Sequence, residues 1–158
     1  MTNGTAATTD RRVSLDDLLG SWRLLSAVQH FEDGSRVAEF GASATGYLSY
    51  TAGGTVSAVL GAADRPQVSA SDPLDATDAE YASSARRFVA YAGTFTLDEE
   101  TGRVHHEIEL ALFPNWQGKS QLRLLELIGD TLSIEASPRT DSDGRTFHSQ
   151  LRWRRVRH

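Results

Sequence analysis

The fold is decided by residues 88–128, which read FVAYAGTFTLDEETGRVHHEIELALFPNWQGKSQLRLLELI. Runs rich in β-branched, aromatic and alternating apolar residues are separated here by Thr101-Gly102 and by a loop over 113–119. Breaks this short join antiparallel neighbours, because a parallel neighbour requires a crossover of about a dozen residues or more. The stretch therefore predicts three consecutive antiparallel strands, over residues 88–97, 103–112 and 120–128.

Similar short runs continue on both sides of this stretch, with turn dipeptides such as Gly53-Gly54 and Gly129-Asp130 between them. A meander of this length removes its exposed edges by closing on itself. We therefore expect an all-β protein, an antiparallel up-and-down barrel of eight or nine strands. The further strands are predicted from Trp22 to Val28 and over residues 35–40, 46–51, 55–60, 131–136 and 145–156.

One helix interrupts the meander. Thr77-Asp78-Ala79-Glu80 has the pattern of a capping box, and apolar residues follow at helical spacing. This helix, predicted over residues 77–87, is expected to pack on the barrel wall or to cover one mouth. Residues 1–13 lack periodicity and are predicted to form a disordered tail, which leaves 14–158 as a single barrel domain.

Composition excludes several classes of function. The chain has no cysteine, which rules out disulfides, thiolate metal sites and a cysteine nucleophile. A net charge of −5 argues against nucleic acid as a partner. No apolar run approaches the ~20 residues that span a bilayer, and the first residues lack the apolar core of a secretory signal. We therefore expect a cytoplasmic protein, a monomer or weak homodimer, with no membrane partner.

Cofactors and metals are not expected either. The chain has no phosphate-binding glycine loop, and Gly53-Gly54 is interpreted as a hairpin turn. His105 and His106 are adjacent in a predicted strand and so point to opposite faces, which prevents them from chelating one ion.

A set of motifs is spread along the chain: Gly20-x-Trp22, the stretch 46–58, Arg65-Pro66, Ala90-Tyr91-x-Gly93, His105-His106, the segment 112–118 with its Phe-Pro-Asn-Trp core, and Gln121-x-Arg123. Through these motifs the chain resembles the bacterial lipocalin-like family, small relatives of the calycin barrels, over about residues 18–155. This resemblance implies a barrel around a small-molecule cavity, and such barrels include carriers and cofactor-free cyclases and isomerases of secondary metabolism. It also implies that Trp22 closes one barrel end, stacked by an arginine of the last strand, Arg152 or Arg154.

The candidate catalytic residues lie on the hairpin of residues 103–128. If Leu112 is opposite Ser120, His106 faces Glu126 on an otherwise apolar face, and a carboxylate beside an imidazole orients a general base. The other face then pairs Glu109 with Arg123. The next turn, at Gly129-Asp130, instead points Arg123 inward, so either pair could line the cavity, or a bulge could place one member of each there.

Two further observations bear on the cavity. The turn after strand 88–97 predicts that its even positions, which are small, share the face of His106 and leave room for a ligand. A loop tryptophan at a barrel end is typical of a lid, and tyrosine phenols can orient a polar group. The candidate ligand-binding residues are Tyr47, Tyr50, Tyr91, Asn115 and Trp116.

The sequence predicts that the barrel binds a small, largely apolar organic molecule. A cofactor-independent cyclase or isomerase is the first hypothesis, and a non-catalytic carrier or sequestering protein is the alternative. A scaffold without ligand is the third. A histidine–carboxylate pair in a dry cavity would favour the enzyme, a wholly apolar cavity the carrier, and a filled interior the scaffold.

Overall fold

The computed structural model describes residues 12–157 and confirms the predicted all-β barrel. Residues 12–157 form two α-helices and ten strands, which are separated at the turn residues between the apolar runs. The helices are α1 (Leu15–Leu18) and α2 (Asp78–Ala85). The strands are β1 (Gly20–Phe31), β2 (Arg36–Ala38), β3 (Ala44–Tyr50), β4 (Thr55–Ala62), β5 (Phe88–Asp98), β6 (Arg103–Ala111), β7 (Ser120–Ile128), β8 (Thr131–Ala136), β9 (Arg139–Thr140) and β10 (Thr146–Arg155).

Eight strands close the barrel in the order β1-β3-β4-β5-β6-β7-β8-β10, and β10 pairs back onto β1. All of these pairings are antiparallel. The short strands β2 and β9 extend the sheet beside β1 and β10. Alternate residues of the barrel strands point to the interior, so the core lies inside the barrel. Among residues 12–157, no helix is long and apolar enough to cross a membrane.

The N-terminal end of the domain and the inserted helix test two predictions made from the local sequence. The predicted tail falls largely on residues 1–11, outside the described residues, while Val13 is buried in the core. Thr77 caps α2 through the predicted capping box. None of the side chains of α2 is buried, and the helix contacts the barrel through β5.

Trp22 is fully buried at the closed end of the barrel. Its indole N–H donates to the carbonyl of Leu18 at 2.9 Å, and the guanidinium of Arg155 lies 4.2 Å from the ring centroid. The expectation of Arg152 or Arg154 as the stacking partner is wrong. Both point outward, because the inward residues of β10 are the odd-numbered ones, such as the buried Trp153.

The predicted register of the β6–β7 hairpin is also wrong. His106 pairs with Gln121, and Val104 pairs with Arg123. Regular pairing ends at Glu107 and Ser120. On the loop side of this pair the backbone of Ile108 bonds both Gly118 and Lys119, which closes a wider loop than expected. Residues directly opposite each other in an antiparallel pair share a face. Even residues of β6 therefore share the inner face with odd residues of β7.

A bulge in β6 changes the inward face once more. Ile108 pairs with Gly93 but Leu110 pairs with Ala92, which leaves Glu109 as an extra residue. Beyond it, Leu110 points outward and is 67% exposed. The predicted inward face of β5 is wrong as well, because Phe95 pairs with the buried His106 and so odd residues of β5 point inward.

Candidate functional site

The barrel encloses a cavity of about 290 Å³. Its wall is mostly apolar, and the polar side chains are few and widely spaced. The apolar lining residues are Phe40, Leu48, Ala58, Leu60, Phe88, Val89, Trp116, Ile134, Ala136, Leu151 and Trp153. The polar ones are Glu39, Arg86, Tyr91, His106, Arg123, Arg139 and Ser149. A volume of this size is at the lower end of ligand pockets and suits a compound of about one ring.

His106 lies at the centre of a hydrogen-bonded group that we call the tyrosine–histidine triad, formed by Tyr50, His106 and Tyr91. The Tyr50 hydroxyl lies 2.8 Å from Nε2 of His106, and the Tyr91 hydroxyl lies 3.0 Å from Nδ1. The three residues come from the inner faces of β3, β6 and β5. Both imidazole nitrogens are therefore occupied by phenols.

Burial sets the protonation states of the triad. Loss of water around the imidazole, together with the charges of Arg123 and His105, lowers the pKa of His106 to about 3. Burial raises the pKa of both Tyr50 and Tyr91. At neutral pH the imidazole is therefore uncharged and both phenols keep their protons.

The hydrogens of the triad can be assigned by counting donors. A neutral imidazole has one N–H donor and one bare nitrogen acceptor. Tyr50 is buried, and among the described residues its hydroxyl bonds only His106, so its hydrogen is satisfied only by donation to Nε2. The Nδ1–H of His106 then donates to the Tyr91 oxygen. This leaves the Tyr91 hydrogen free to bond an acceptor in the cavity.

Arg123 adds a positive charge to the same wall. Its guanidinium donates to the carbonyl of Leu122 at 2.9 Å and to the side-chain oxygen of Gln121. It has no carboxylate ion-pair partner among residues 12–157, and burial lowers its pKa. Guanidinium stays protonated in proteins. The charge is close enough to affect the titration of His106, Tyr50 and Tyr91.

Five of the predicted site residues come together at this wall. They are His106, Arg123, Tyr50, Tyr91 and Trp116, the last of which is half-buried and meets the Tyr91 ring edge-to-face at 6.2 Å. His106 and Arg123 are one member of each predicted pair.

The remaining four predicted residues are not part of this wall. Glu126 is exposed on the outer face of β7, because Gln121 takes its place opposite His106. Glu109 is the extra residue of the β6 bulge and is exposed. Tyr47 is 49% exposed and accepts a hydrogen bond from Arg23, and Asn115 is exposed in the 3-10 turn Pro114–Trp116. The predicted His106–Glu126 and Glu109–Arg123 pairs do not form.

Sequence reasoning missed four polar lining residues, Glu39, Arg86, Arg139 and Ser149. Glu39 follows β2 and Arg139 begins β9, and such short segments have no periodicity that predicts a face. Ser149 lies between Phe147 and Leu151 on the inward face of β10. The alternation of this strand was the one sequence signal that could have predicted its place in the cavity. Among residues 12–157, no three side chains of the metal-binding types form a potential metal site.

A family model described as the lipocalin-like domain matches residues 19–156, which contain every strand of the barrel. The chain belongs to the lipocalin-like family. It is also similar to the 4'-hydroxy-3'-methoxypropiophenone carrier protein ppsC of Aspergillus oryzae, with 34% identity over 97 residues. That alignment covers 58% of this chain and 87% of the carrier protein. Family, relative and cavity together support binding of a small organic molecule in the barrel.

Proposed function

We propose that this lipocalin-like barrel is a carrier for a small, largely apolar compound that presents an acceptor oxygen to Tyr91 and Arg123. The observation that carries the proposal is the tyrosine–histidine triad, which leaves one oriented O–H donor on the wall of an apolar cavity. A ketone oxygen fits such a donor beside a positive charge. The apolar remainder of the ligand would lie against the aliphatic and aromatic wall.

The state of His106 favours a carrier over an enzyme that relies on this residue as a base. Both of its nitrogens are hydrogen-bonded, and its pKa is about 3, far below the range in which imidazole accepts protons near neutral pH. The similarity to a protein named as an aryl ketone carrier agrees with this interpretation.

The proposal is tested by titrating 4'-hydroxy-3'-methoxypropiophenone into the protein by calorimetry. Tyr91→Phe removes the free donor and keeps the ring, so we expect affinity to fall about threefold to tenfold, the value of one neutral hydrogen bond. Tyr47→Phe is the matched control, because Tyr47 lies on the outer face, and it should bind like the wild type.

The place of binding is tested by filling the cavity. Ala136 is buried and lines the cavity, so Ala136→Phe should abolish binding while leaving the β-sheet circular dichroism unchanged. Undiminished binding by this variant would mean that the compound occupies another surface, and the proposal would be wrong.

A cofactor-free cyclase or isomerase is the second candidate, and the position of Arg123 favours it. A partly buried cation and an O–H donor facing one oxygen would stabilise negative charge that develops on a carbonyl during enolisation. An enzyme of this kind would exchange the hydrogens beside the ketone for deuterium from D₂O, with solvent water accepting the proton that leaves the carbon and returning a deuteron to it. Exchange above the uncatalysed rate that is lost in Tyr91→Phe, followed by NMR, would favour the enzyme, and its absence favours the carrier.

The cytoplasmic location and the monomeric or weakly dimeric state stay predictions. The monomeric or weakly dimeric state belongs to the proposal, because the proposed carrier binds its ligand without a second chain contributing to the cavity.

A further inference from the structure

Glu39 places a carboxylate on the side of the barrel away from the triad. Its backbone N–H donates to the carbonyl of Ala27 on β1 at 3.0 Å, and its side chain lines the cavity. In the closed order of eight strands, β1 and β6 are four strands apart in either direction. Glu39 and His106 therefore belong to opposite walls of the same cavity.

The two oxygens of Glu39 have different surroundings. Oε1 lies 3.5 Å from Nη2 of Arg139, which itself donates to Ser149 at 3.1 Å, while its guanidinium lies over the Phe147 ring. Oε2 is buried and accepts no hydrogen bond from any described residue. A buried acceptor without a donor is unfavourable, and most such atoms in proteins have a partner. Because Glu39 lines the cavity, a turn of its carboxylate would bring this oxygen to a donor on the ligand.

We propose that Glu39 binds a hydroxyl group of the ligand through Oε2, and thereby selects compounds that carry an acceptor at one end and a hydroxyl at the other. This inference rests on the proposed function, since Tyr91 takes the acceptor end. Arg139 holds the carboxylate in place from the other oxygen. The substrate class is then a hydroxylated aryl ketone or a molecule of the same polarity.

Two probes that differ at the hydroxyl alone test this selection. The first is 4'-hydroxy-3'-methoxypropiophenone, and the second is its methyl ether, in which the phenol hydrogen is replaced by a methyl group. Hydrogen bonds to charged groups are the stronger ones, so we expect the wild type to prefer the phenol about tenfold or more. Glu39→Met keeps the length of the side chain without its oxygens and should remove the preference.

Two further variants locate the effect. Glu39→Gln keeps one acceptor oxygen and should show an intermediate preference. Glu126→Met removes the same charge from the outer face and should keep the full preference of the wild type. Each preference is a ratio measured on one protein sample, so a partial loss of stability in a variant changes both affinities together.

The outcomes separate the two proposals. If the wild type binds both probes equally, or if Glu39→Met still prefers the phenol, the role of Glu39 is wrong and the carrier proposal stands. A preference that survives in Glu39→Met would come from the size of the added methyl group. If the wild type binds neither probe, both proposals are wrong.

Discussion

At the scale of the residue, His106 shows how burial rather than a charged neighbour sets a protonation state. The carboxylate expected beside it would have favoured the imidazolium form. Instead two phenols and a guanidinium surround the ring, and burial disfavours its charge. The histidine therefore serves as a fixed hydrogen-bond link between the tyrosines, and it titrates far below neutral pH.

This shift makes folding stability depend on pH in a defined direction. Because the pKa of His106 is lowered to about 3 in the folded protein and is about 6.5 in the unfolded chain, protons bind the unfolded state preferentially between these values. His106 alone should then reduce the free energy of unfolding by about 2 kcal/mol between pH 7 and pH 5. Urea unfolding at the two pH values measures this, and His106→Gln should lack this part of the loss.

His105→Gln is the matched control for that measurement. His105 is exposed on the outer face of β6, next to His106 in sequence. Its charge is the smallest of the causes that lower the pKa of His106, so its replacement should keep most of the pH dependence of the wild type. Equal pH dependence in His106→Gln and the wild type would contradict the assignment of the shift to burial of this ring.

At the scale of the element, the β6 bulge determines which residues face the cavity. It lies opposite Gly93, whose backbone is so close to β6 that a Cβ there would be 1.8 Å from the carbonyl oxygen of Glu107. The obstructing atom is backbone, so a side-chain rotation cannot relieve the contact. A glycine at this position permits the close approach of β5 and β6 beside the triad.

Gly93→Ala should therefore destabilise the protein by at least about 1–3 kcal/mol, the usual range for overpacking a tight site. Gly53→Ala is the comparison, since the nearest atom to a Cβ there is the Thr51 hydroxyl at 3.7 Å. We expect that change to stay within about 1 kcal/mol of the wild type. Equal unfolding midpoints in urea for the two variants would show that β5 and β6 are not this close.

At the scale of the whole molecule, Trp22 joins the elements that close the barrel. It lies on β1, bonds the end of α1 through Leu18, and stacks under Arg155 at the end of β10. Arg155 in turn donates to the carbonyl of Leu19 at 3.0 Å and to that of Asp17. The seam between the first and last barrel strands is thus held at the end of the barrel that α1 approaches.

Trp22→Ala should lower the free energy of unfolding by about 3–5 kcal/mol, because it leaves a large void at this seam. Trp116→Ala is the comparison, since Trp116 is half-buried in a loop, and it should cost less stability. Urea unfolding followed by circular dichroism measures both. A loss below about 1 kcal/mol for Trp22→Ala would contradict the role of this residue in closing the barrel.

The sequence by itself determined the elements of this protein. Turn dipeptides, alternation and the capping box at Thr77 act between residues close along the chain, and the structure follows them in the barrel class and the inserted helix. The sequence also predicts His106, Arg123, Tyr50, Tyr91 and Trp116 as candidate site residues. The first two come from the pairing pattern of the 103–128 hairpin, the tyrosines from their phenol groups, and Trp116 from its loop at a barrel end.

Only the tertiary structure decided which of those side chains meet. A shift of one residue in pairing moves every side chain of a strand to the other face. The wide loop after Glu107 and the bulge at Glu109 both depend on contacts between strands, which alternation along one strand does not encode. Glu126 therefore faces outward and Arg123 inward. Glu39 reaches the cavity from a turn after β2, so closure of the barrel alone places it opposite the triad.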